Sequence, residues 1–587
     1  MKQPKLLINL YWHMHQPDYR DSISGEYILP WTYLHVIKDY SDMVYHLEAN
    51  PKARVSFNFV PILLDQIEDY AAQFKVGKIT AIKDPILRLL GTPDLWVITP
   101  EECTLIKESC FKSYHEKMLK PFPAYVRLYE MFQFLTQEGN DSLSYLSGQY
   151  LADLLTWYHL AWMGESVRQN CVLVQNLMTK GKQFTNEDRQ ALFQKIGELI
   201  TDLIPRYKKL AAKGQIEISS TPYHHPILPL LLDFNTTKDA MPYAPMPVHS
   251  QYAGGEARAI AHLQDAQTSH EQRFGHKPIG MWPSEGAVSR QSLLVMASQG
   301  VQWAASGEGV LANSLLKSNA IKPLISRNDY LYKPYRVQDD QHNIVCFFRD
   351  DRLSDKIGFE YQKLHSAEAV ADFIRSLEHI HEHNIHPENP VVSIILDGEN
   401  AWEYYPYNGH YFLTELYQAL ANHPNIDMVT PSEVLQAIDN NDKNITPKTG
   451  DYQVYCGNLP QIAAGSWVYG TFSTWIGSHE KNRGWDLLCE AKLAFDQATQ
   501  SGALSQAEQA QAETQLAVCE GSDWFWWLGD VNAAQSVTSF DALYRRNLSN
   551  LYHLLKLPIP KTLSSPISIG SKTEFNENAG TMRRGTV

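Results

Sequence analysis

One short run, Val391-Val392-Ser393-Ile394-Ile395-Leu396, constrains the fold more than any other stretch of this chain. A run this apolar and β-branched has the character of a strand buried on both faces, as in a parallel sheet covered by helices. It ends abruptly at Asp397-Gly398-Glu399-Asn400-Ala401-Trp402-Glu403-Tyr404-Tyr405. In parallel α/β folds the loops after the carboxyl ends of the strands carry the chemistry. Asp397, Glu399 and Glu403, set among aromatic rings, are therefore candidates for acid/base work on a ring-shaped substrate. The plainer reading, a solvated loop whose acids cap the next helix, leaves Trp402, Tyr404 and Tyr405 without a reason to be there, because such rings are costly to expose.

A second stretch has the same design. Lys277 to Met281 reads as a short strand, and Trp282-Pro283-Ser284-Glu285-Gly286 as a turn that presents an acid beside a Trp. If the fold brings Glu285 and Asp397 together, the two carboxylates suit a retaining glycosidase, whose nucleophile and acid/base stand roughly 5–5.5 Å apart.

Elsewhere strands and helices alternate. Lys5–Trp12 reads as a buried first strand that delivers His13, His15, Gln16 and Pro17, and Arg54–Val60 as the next. Between about 65 and 180 the pattern turns helical and is too long for one crossover, so a helical insertion over the barrel mouth is expected. Thr185-Asn186-Glu187-Asp188 opens a helix as a capping box does, with Pro205 expected to kink or end its first part. Strand Gln215–Ser220 precedes His225-Pro226. Helix Gly255–Phe274, strand Ile279–Met281, helix Ser289–Gln299, strand Val301–Ala304 and helix Ser366–His383 continue the alternation, which points to a parallel sheet or barrel. Helix Gly409–Ala421 follows the acidic loop, and the barrel is expected to close near Met428 and Val429. The expected division is a catalytic unit over 1–440, a helical unit bordering the cleft over 441–557, and a loose Ser/Thr/Pro/Gly/Asn-rich tail over 558–587.

Composition narrows the partner. With 587 residues, 44% hydrophobic, the chain can bury a large core. Its 51 Lys and Arg against 65 Asp and Glu leave a formal charge of −14, which disfavours nucleic acid and anionic membrane surfaces and leaves a neutral polymer open. No run approaches the ~20 apolar residues of a membrane helix, and no secretion signal is read at the amino terminus. Seven cysteines without a Cys-x-x-Cys predict reduced thiols and a cytoplasmic protein.

Five separated motifs, taken in order, resemble glycoside hydrolase family 57, most nearly its α-amylase and amylopullulanase branch. They are His13-Met14-His15-Gln16-Pro17; Gly214 to Ile218 continuing to His225-Pro226; Met281 to Gly286; Leu396 to Trp402; and Ser466-Trp467 through Trp475-Ile476-Gly477 to Trp485. The later Glu520-Gly521-Ser522-Asp523-Trp524-Phe525-Trp526-Trp527 is similar to that family's carboxyl-terminal region. The resemblance implies a seven-stranded (β/α) barrel acting on α-glucans, starch- or glycogen-like polysaccharides or malto-oligosaccharides, without a cofactor. Glu285 would be the nucleophile and Asp397 the acid/base. By that resemblance His13 and His15 would bond sugar hydroxyls. From residue type alone, Trp282, Trp402, Trp467 and Trp475 read either as core residues or as rings that stack on sugar, Trp282 and Trp402 each beside a proposed acid, with His225, Glu399 and Glu480 as further candidate substrate contacts. Two positions depart from the pattern: His224 stands where the family has Tyr, and Gly307 where the amylase-like branch has Asp. Three rivals stay open: transfer to a glucan hydroxyl through the same intermediate, a metal-dependent hydrolase using His13-x-His15 with His224, His225 and Asp397, and a catalytically silent glucan binder.

Overall fold

The structure, a computed structural model, describes residues 4–137, 146–318, 326–384, 386–439, 452–529, 532 and 534–570. One nine-stranded sheet organises them. Its strands are β1 (Leu6–Met14), β2 (Val55–Phe59), β3 (Ile216–Ser220), β4 (Trp303–Gly307), β5 (Tyr335–Gln338), β6 (Asn343–Arg349), β7 (Val391–Asp397), β8 (Ile426–Met428) and β9 (Gly457–Asn458). All nine residues of β1 are buried, the polar Asn9 and His13 among them. Parallel neighbours β7 and β2 fix its register: His13 lies opposite Asp397 on one side and Asn58 on the other. Strand β3 follows β2, and β4 pairs β6, all parallel. Single parallel bridges, Ser220 with Met281 and Gly280 with Trp303, join the 280–281 segment to β3 and to β4. A further pair, Arg349 with Ser393, joins β6 to β7. Parallel pairs and these bridges thus link β1, β2, β3, the 280–281 segment, β4, β6 and β7, consistent with a seven-stranded (β/α) arrangement.

Side chains alternate across such a sheet with period 2. Leu6, Ile8, Leu10, Trp12 and Met14 enter the large core shared with the helices, while Leu7 and Tyr11 join a smaller cluster with Trp282, Trp303, Val345, Phe347, Val391 and Ile395. Two places on from Tyr11 and Ile395, the same alternation puts His13 and Asp397 at the end of that second face. A slip of one residue would turn both into the helical layer.

Between β2 and β3 the chain is helical, from Pro61–Lys75 to Asn186–Ala212. Four of these helices, starting at Pro61, Pro85, Pro100 and Pro123, begin with proline, whose missing N–H costs nothing in the first turn. The last opens with the expected capping box at Thr185 and Asp188 but runs without a break past Pro205. The helical stretch therefore begins at Pro61 and continues beyond 180, to Ala212.

Other readings also shift. Segment 279–281 makes bridges rather than a strand, and β4 lies about two residues later than Val301–Ala304. β8, at the expected closing point, pairs in parallel with the start of β1, at Leu6 to Ile8. The antiparallel pair β5–β6 was not anticipated. The boundary expected at 440/441 lies outside the described residues, as does the tail beyond 570. Residues 558–570 are not loose: Leu563 is buried, and the Asp541 carboxylate accepts the N–H groups of Ile567 and Ser568. No helix among the described residues is long and apolar enough to cross a membrane.

The carboxyl-terminal helices His479–Gln500, Gln506–Cys519, Asp523–Trp527 and Ala534–Leu554 are tied to the sheet unit through Glu520. Its fully buried carboxylate accepts from Arg258 Nε at 2.9 Å and Nη2 at 3.0 Å, lies 2.7 Å from His262 Nε2, and accepts from the Tyr252 hydroxyl at 2.5 Å. Arg258 and the hydrogen bond from His262 hold it well below the usual carboxylate range against the cost of burial. Removing one partner of a buried pair strands the other charge, so Glu520→Gln is expected to cost about 3–5 kcal/mol of stability. The measurement is urea unfolding followed by tryptophan fluorescence; a midpoint equal to that of the parent would contradict the anchoring role.

Candidate active site

The first component is a stack of imidazoles. His13, His15 and His225 come from the end of β1, the residue just beyond it, and the turn after β3. Ring centroids of His15 and His225 are 3.9 Å apart, and those of His13 and His225 5.2 Å. His13 Nδ1 lies 2.6 Å from Asn58 Oδ1. Burial, with His15 alongside, pushes His13 down to about 3, and the same causes push His225 well below the ordinary histidine value. Both rings are therefore neutral at pH 7, each with one donor and one acceptor nitrogen. His15 Nδ1 and His225 Nε2 are buried without a protein partner.

The second component is Glu285. Its backbone is left-handed (φ 58°, ψ 23°), a conformation costly to any residue with a Cβ and concentrated at functional sites. Its carboxylate accepts from Trp467 Nε1 at 3.1 Å on one oxygen; the other lies 3.5 Å from Ser522 Oγ and 3.9 Å from His225 Nδ1. Ser522 Oγ also lies 2.8 Å from His225 Nδ1. His225 is itself left-handed, at φ 60°.

Asp397 closes the group. Its Oδ2 accepts from Asn400 Nδ2 at 2.8 Å. Gly398 donates its N–H to His13 O at 2.7 Å, and a Cβ there would lie 2.3 Å from Met14 Sδ, so the loop can turn this tightly over β1 only with glycine. Burial raises Asp397 above its ordinary value, opposed by Asn400, His15 and Arg349. Burial also raises Glu285, and the charges of Asp397 and Asp523 raise it further. Such a coupled pair favours one proton over none. Protonating Asp397 removes the larger of the two charges opposing ionisation of Glu285, where Trp467 and Ser522 already donate. Glu399, next to the pair, is raised by burial and then by Asp397. It accepts from the His15 N–H at 3.2 Å, leaving its other oxygen without a protein partner.

The aromatic side chains sort differently from expectation. Trp467 touches the site directly. Trp282 lies beneath it, fully buried against Tyr11, His13 and Trp467. Trp402, expected as a sugar-facing wall, is 1% exposed: it packs on Trp12, Tyr405 and Phe412 and braces the loop by donating Nε1 to Gly398 O at 2.8 Å. Trp475, in the turn before the helix His479–Gln500, and Trp485, within it, are both fully buried core residues. Glu480, half-buried in the first turn of His479–Gln500, lies outside the contacts around Glu285. At Gly307, a Cβ would come within 2.6 Å of Trp467 Cα. An Asp there would displace the residue that holds Glu285.

Three site residues were missed. Asp523 receives His15 Nε2 at 2.9 Å, Ser522 bridges His225 and Glu285, and Arg349 lies over the Trp467 ring at 5.6 Å. The signal for the first two was present in the acid- and tryptophan-rich stretch Glu520–Trp527; that for Arg349 was the apolar run of β6 ahead of it. One ligand atom each from His15, His225 and Asp523 falls within a 4.8 Å cluster, a donor set able to hold a metal ion.

The family model for glycosyl hydrolase family 57 matches residues 9–449. The chain belongs to that family. It is accordingly an enzyme of the glycoside hydrolase and transferase kind. A search of curated proteins found no match. Solved structures support the fold. A branching enzyme from Thermococcus kodakaraensis is 14% identical with TM-score 0.58, the alignment covering 94% of this chain and 90% of that one. One from Pyrococcus horikoshii is 13% identical with TM-score 0.54 over 100% of both chains. The α-amylase AmyC from Thermotoga maritima is 14% identical with TM-score 0.52 over 94% of each.

The Asn400 amide favours the charged form of Asp397. Asn400→Ala should therefore raise the Asp397 pKa and move the alkaline limb of the kcat/KM profile to higher pH. A limb that stays in place or moves down would show that Asp397 does not control it.

Proposed function

We propose that this family 57 enzyme cleaves α-glucosidic bonds in starch- or glycogen-like glucans with retention, by double displacement. The observation that carries the proposal is Glu285, fixed in a left-handed turn by Trp467 and Ser522 and electrostatically coupled to Asp397 at the end of β7. With Asp397 protonated and Glu285 ionised, Asp397 donates its proton to the glycosidic oxygen as Glu285 attacks the anomeric carbon. Asp397, now a base, then takes a proton from the water or sugar hydroxyl that attacks the glycosyl-enzyme. Two inversions at one carbon restore the α configuration. His13, His15, His225 and Glu399 offer neutral or singly engaged polar atoms to the hydroxyls of the bound sugar, and Trp467 holds the nucleophile. The seven cysteines, none of them in a disulfide among the described residues, fit a reducing, cytoplasmic setting.

Incubation with one linear malto-oligosaccharide of defined length separates the readings. Shorter products alone are expected; shorter and longer products together would mean 4-α-glucan transfer, and new branch points branching. In parallel, Asp397→Asn should be severely slowed on starch yet accumulate a glycosyl-enzyme from an α-glucosyl fluoride, with the label on the Glu285 peptide. A label on Asp397 would reverse the assignment, and Glu285→Gln retaining turnover on the fluoride would remove it.

Double displacement by two carboxylates needs no metal. Exhaustive chelation is expected to leave the rate unchanged. Loss of activity on chelation, with recovery on adding back a divalent ion that the His15→Ala variant no longer retains, would favour the metal-dependent hydrolase.

A further inference from the structure

Among the described residues, the non-glycine positions with positive φ include two in the site, His225 and Glu285, and two consecutive ones in the loop that starts at Asp397: Tyr407 (φ 54°, ψ 39°) and Asn408 (φ 54°, ψ 31°). Gly409 follows at φ 72°. Three left-handed residues in a row form a turn that side chains oppose, so the surroundings must hold it. They do so through the last two. Asn408 is buried and donates its amide to Met163 O at 3.4 Å, and Gly409 lies so close to Trp402 that a Cβ would meet Cε3 at 2.6 Å. The first residue is turned outward: Tyr407 is 57% exposed. One helical turn on, Tyr411 is 48% exposed, its ring perpendicular to that of Tyr407 with centroids 5.4 Å apart. Gln169 Nε2 donates to the Tyr411 hydroxyl at 3.4 Å, and no described residue bonds the Tyr407 hydroxyl.

Single exposed aromatic residues need no explanation. A pair set edge to face, held out by a strained turn beside polar Gln169, is a different matter. Tyrosine combines an apolar ring with a hydroxyl and is stiff enough to bind at small entropic cost. Those properties match a sugar ring, which has a C–H face and a rim of hydroxyls. Position selects the ligand. The helix His410–Ala421 follows β7 and runs back along the sheet, so its first turn lies at the same end of the sheet as Asp397. The turn is thus continuous with the catalytic loop, and a glucan chain leaving that loop is the molecule at hand to cover the pair.

We propose that Tyr407 and Tyr411 form an outer glucan-binding platform, which engages polymer beyond the residues being cleaved. The proposal rests on the α-glucan reading above. In a Glu285→Gln background, retardation in native gels containing glycogen or amylose gives polymer affinity without turnover. Tyr407→Ala/Tyr411→Ala is expected to weaken that affinity about tenfold, the scale of two lost aromatic contacts. In the active enzyme the same double variant should raise KM on the polymer by a similar factor, with kcat on a short chromogenic maltoside unchanged.

Tyr407→Gly supplies the second readout. Glycine relieves the left-handed strain, so its Tm should equal or exceed that of the parent while polymer affinity falls. Polymer affinity unchanged in both variants, with maltoside activity intact, would overturn the platform alone. So would a lowered Tm with affinity retained, which marks a structural tyrosine, or a sedimentation mass that halves on substitution, which marks contact between copies of the chain. An otherwise unaltered enzyme that neither binds glycogen nor cleaves the maltoside would overturn the α-glucan reading and the platform with it.

Discussion

The site depends on one buried carboxylate outside it. Glu520 carries a negative charge at zero exposure because Arg258, His262 and Tyr252, all from the 252–262 segment that starts the helix Gly255–Phe274, surround it with donors. A hydrophobic contact at this place could slide; a charge whose donors are fixed in direction cannot, since any displacement leaves a bond unmade at a cost of several kcal/mol. The short segment that follows is then positioned without choice. Ser522 N–H reaches His225 O at 2.9 Å, and Gly521 bridges Pro226. Ser522 Oγ and Asp523 thereby arrive at His225, Glu285 and His15.

The electrostatics of the site follow from this assembly. Three imidazoles are packed ring on ring, and two of them, His13 and His225, are driven neutral by burial and mutual repulsion. Around them stand Glu285, Asp397, Glu399 and Asp523, with Arg349 behind the Trp467 ring. In the mechanism proposed above, Glu285 with its raised pKa can serve as nucleophile because the proton that Asp397 would carry as the acid removes a charge opposing ionisation of Glu285. Backbone strain at Glu285 and His225 serves the same end. Each left-handed residue costs of order 1–3 kcal/mol, recovered from the packing of Trp282 and Trp467 beneath the turn and from the bonds to Ser522.

What could be read in the sequence had local causes. The Val391–Leu396 strand, the His13-x-His15 ending of β1, the capping box at Thr185 and the helix Gly255–Phe274 all have periodicity or end signals within a few residues. Position within a fold does not. Trp402 sits among the acids in sequence, yet side chains of a tight turn point both ways, and only the packing of Phe412 and Tyr405 decides that its ring faces the core. Gly307 looked like a departure in a functional pattern; it is a contact of one backbone with another. Arg349 escaped because β6 was not recognised and with it the residue at its end. Asp523 and Ser522 lie 508 residues from His15 and 237 from Glu285, and nothing in local sequence encodes a partner that distant.

That separation has a physical consequence for how the site forms. Pairing β1 with β2 and β7 needs nothing from beyond residue 397, so the strand ends that carry His13 and Asp397 can be in place before the carboxyl-terminal helices dock. Closing the loop from His15 to Asp523 adds little entropy cost per added residue, since loop entropy grows only with the logarithm of length, but it must wait for the helices to form and for Glu520 to find its donors. Until then His15 and Glu285 lack their partners, and Glu285 has only Trp467 to hold it. The strand ends thus place His13 and Asp397, while Ser522 and Asp523, which meet His225, Glu285 and His15, are delivered by the far end of the chain. Placing the final constraint there makes the site a test of the completed fold.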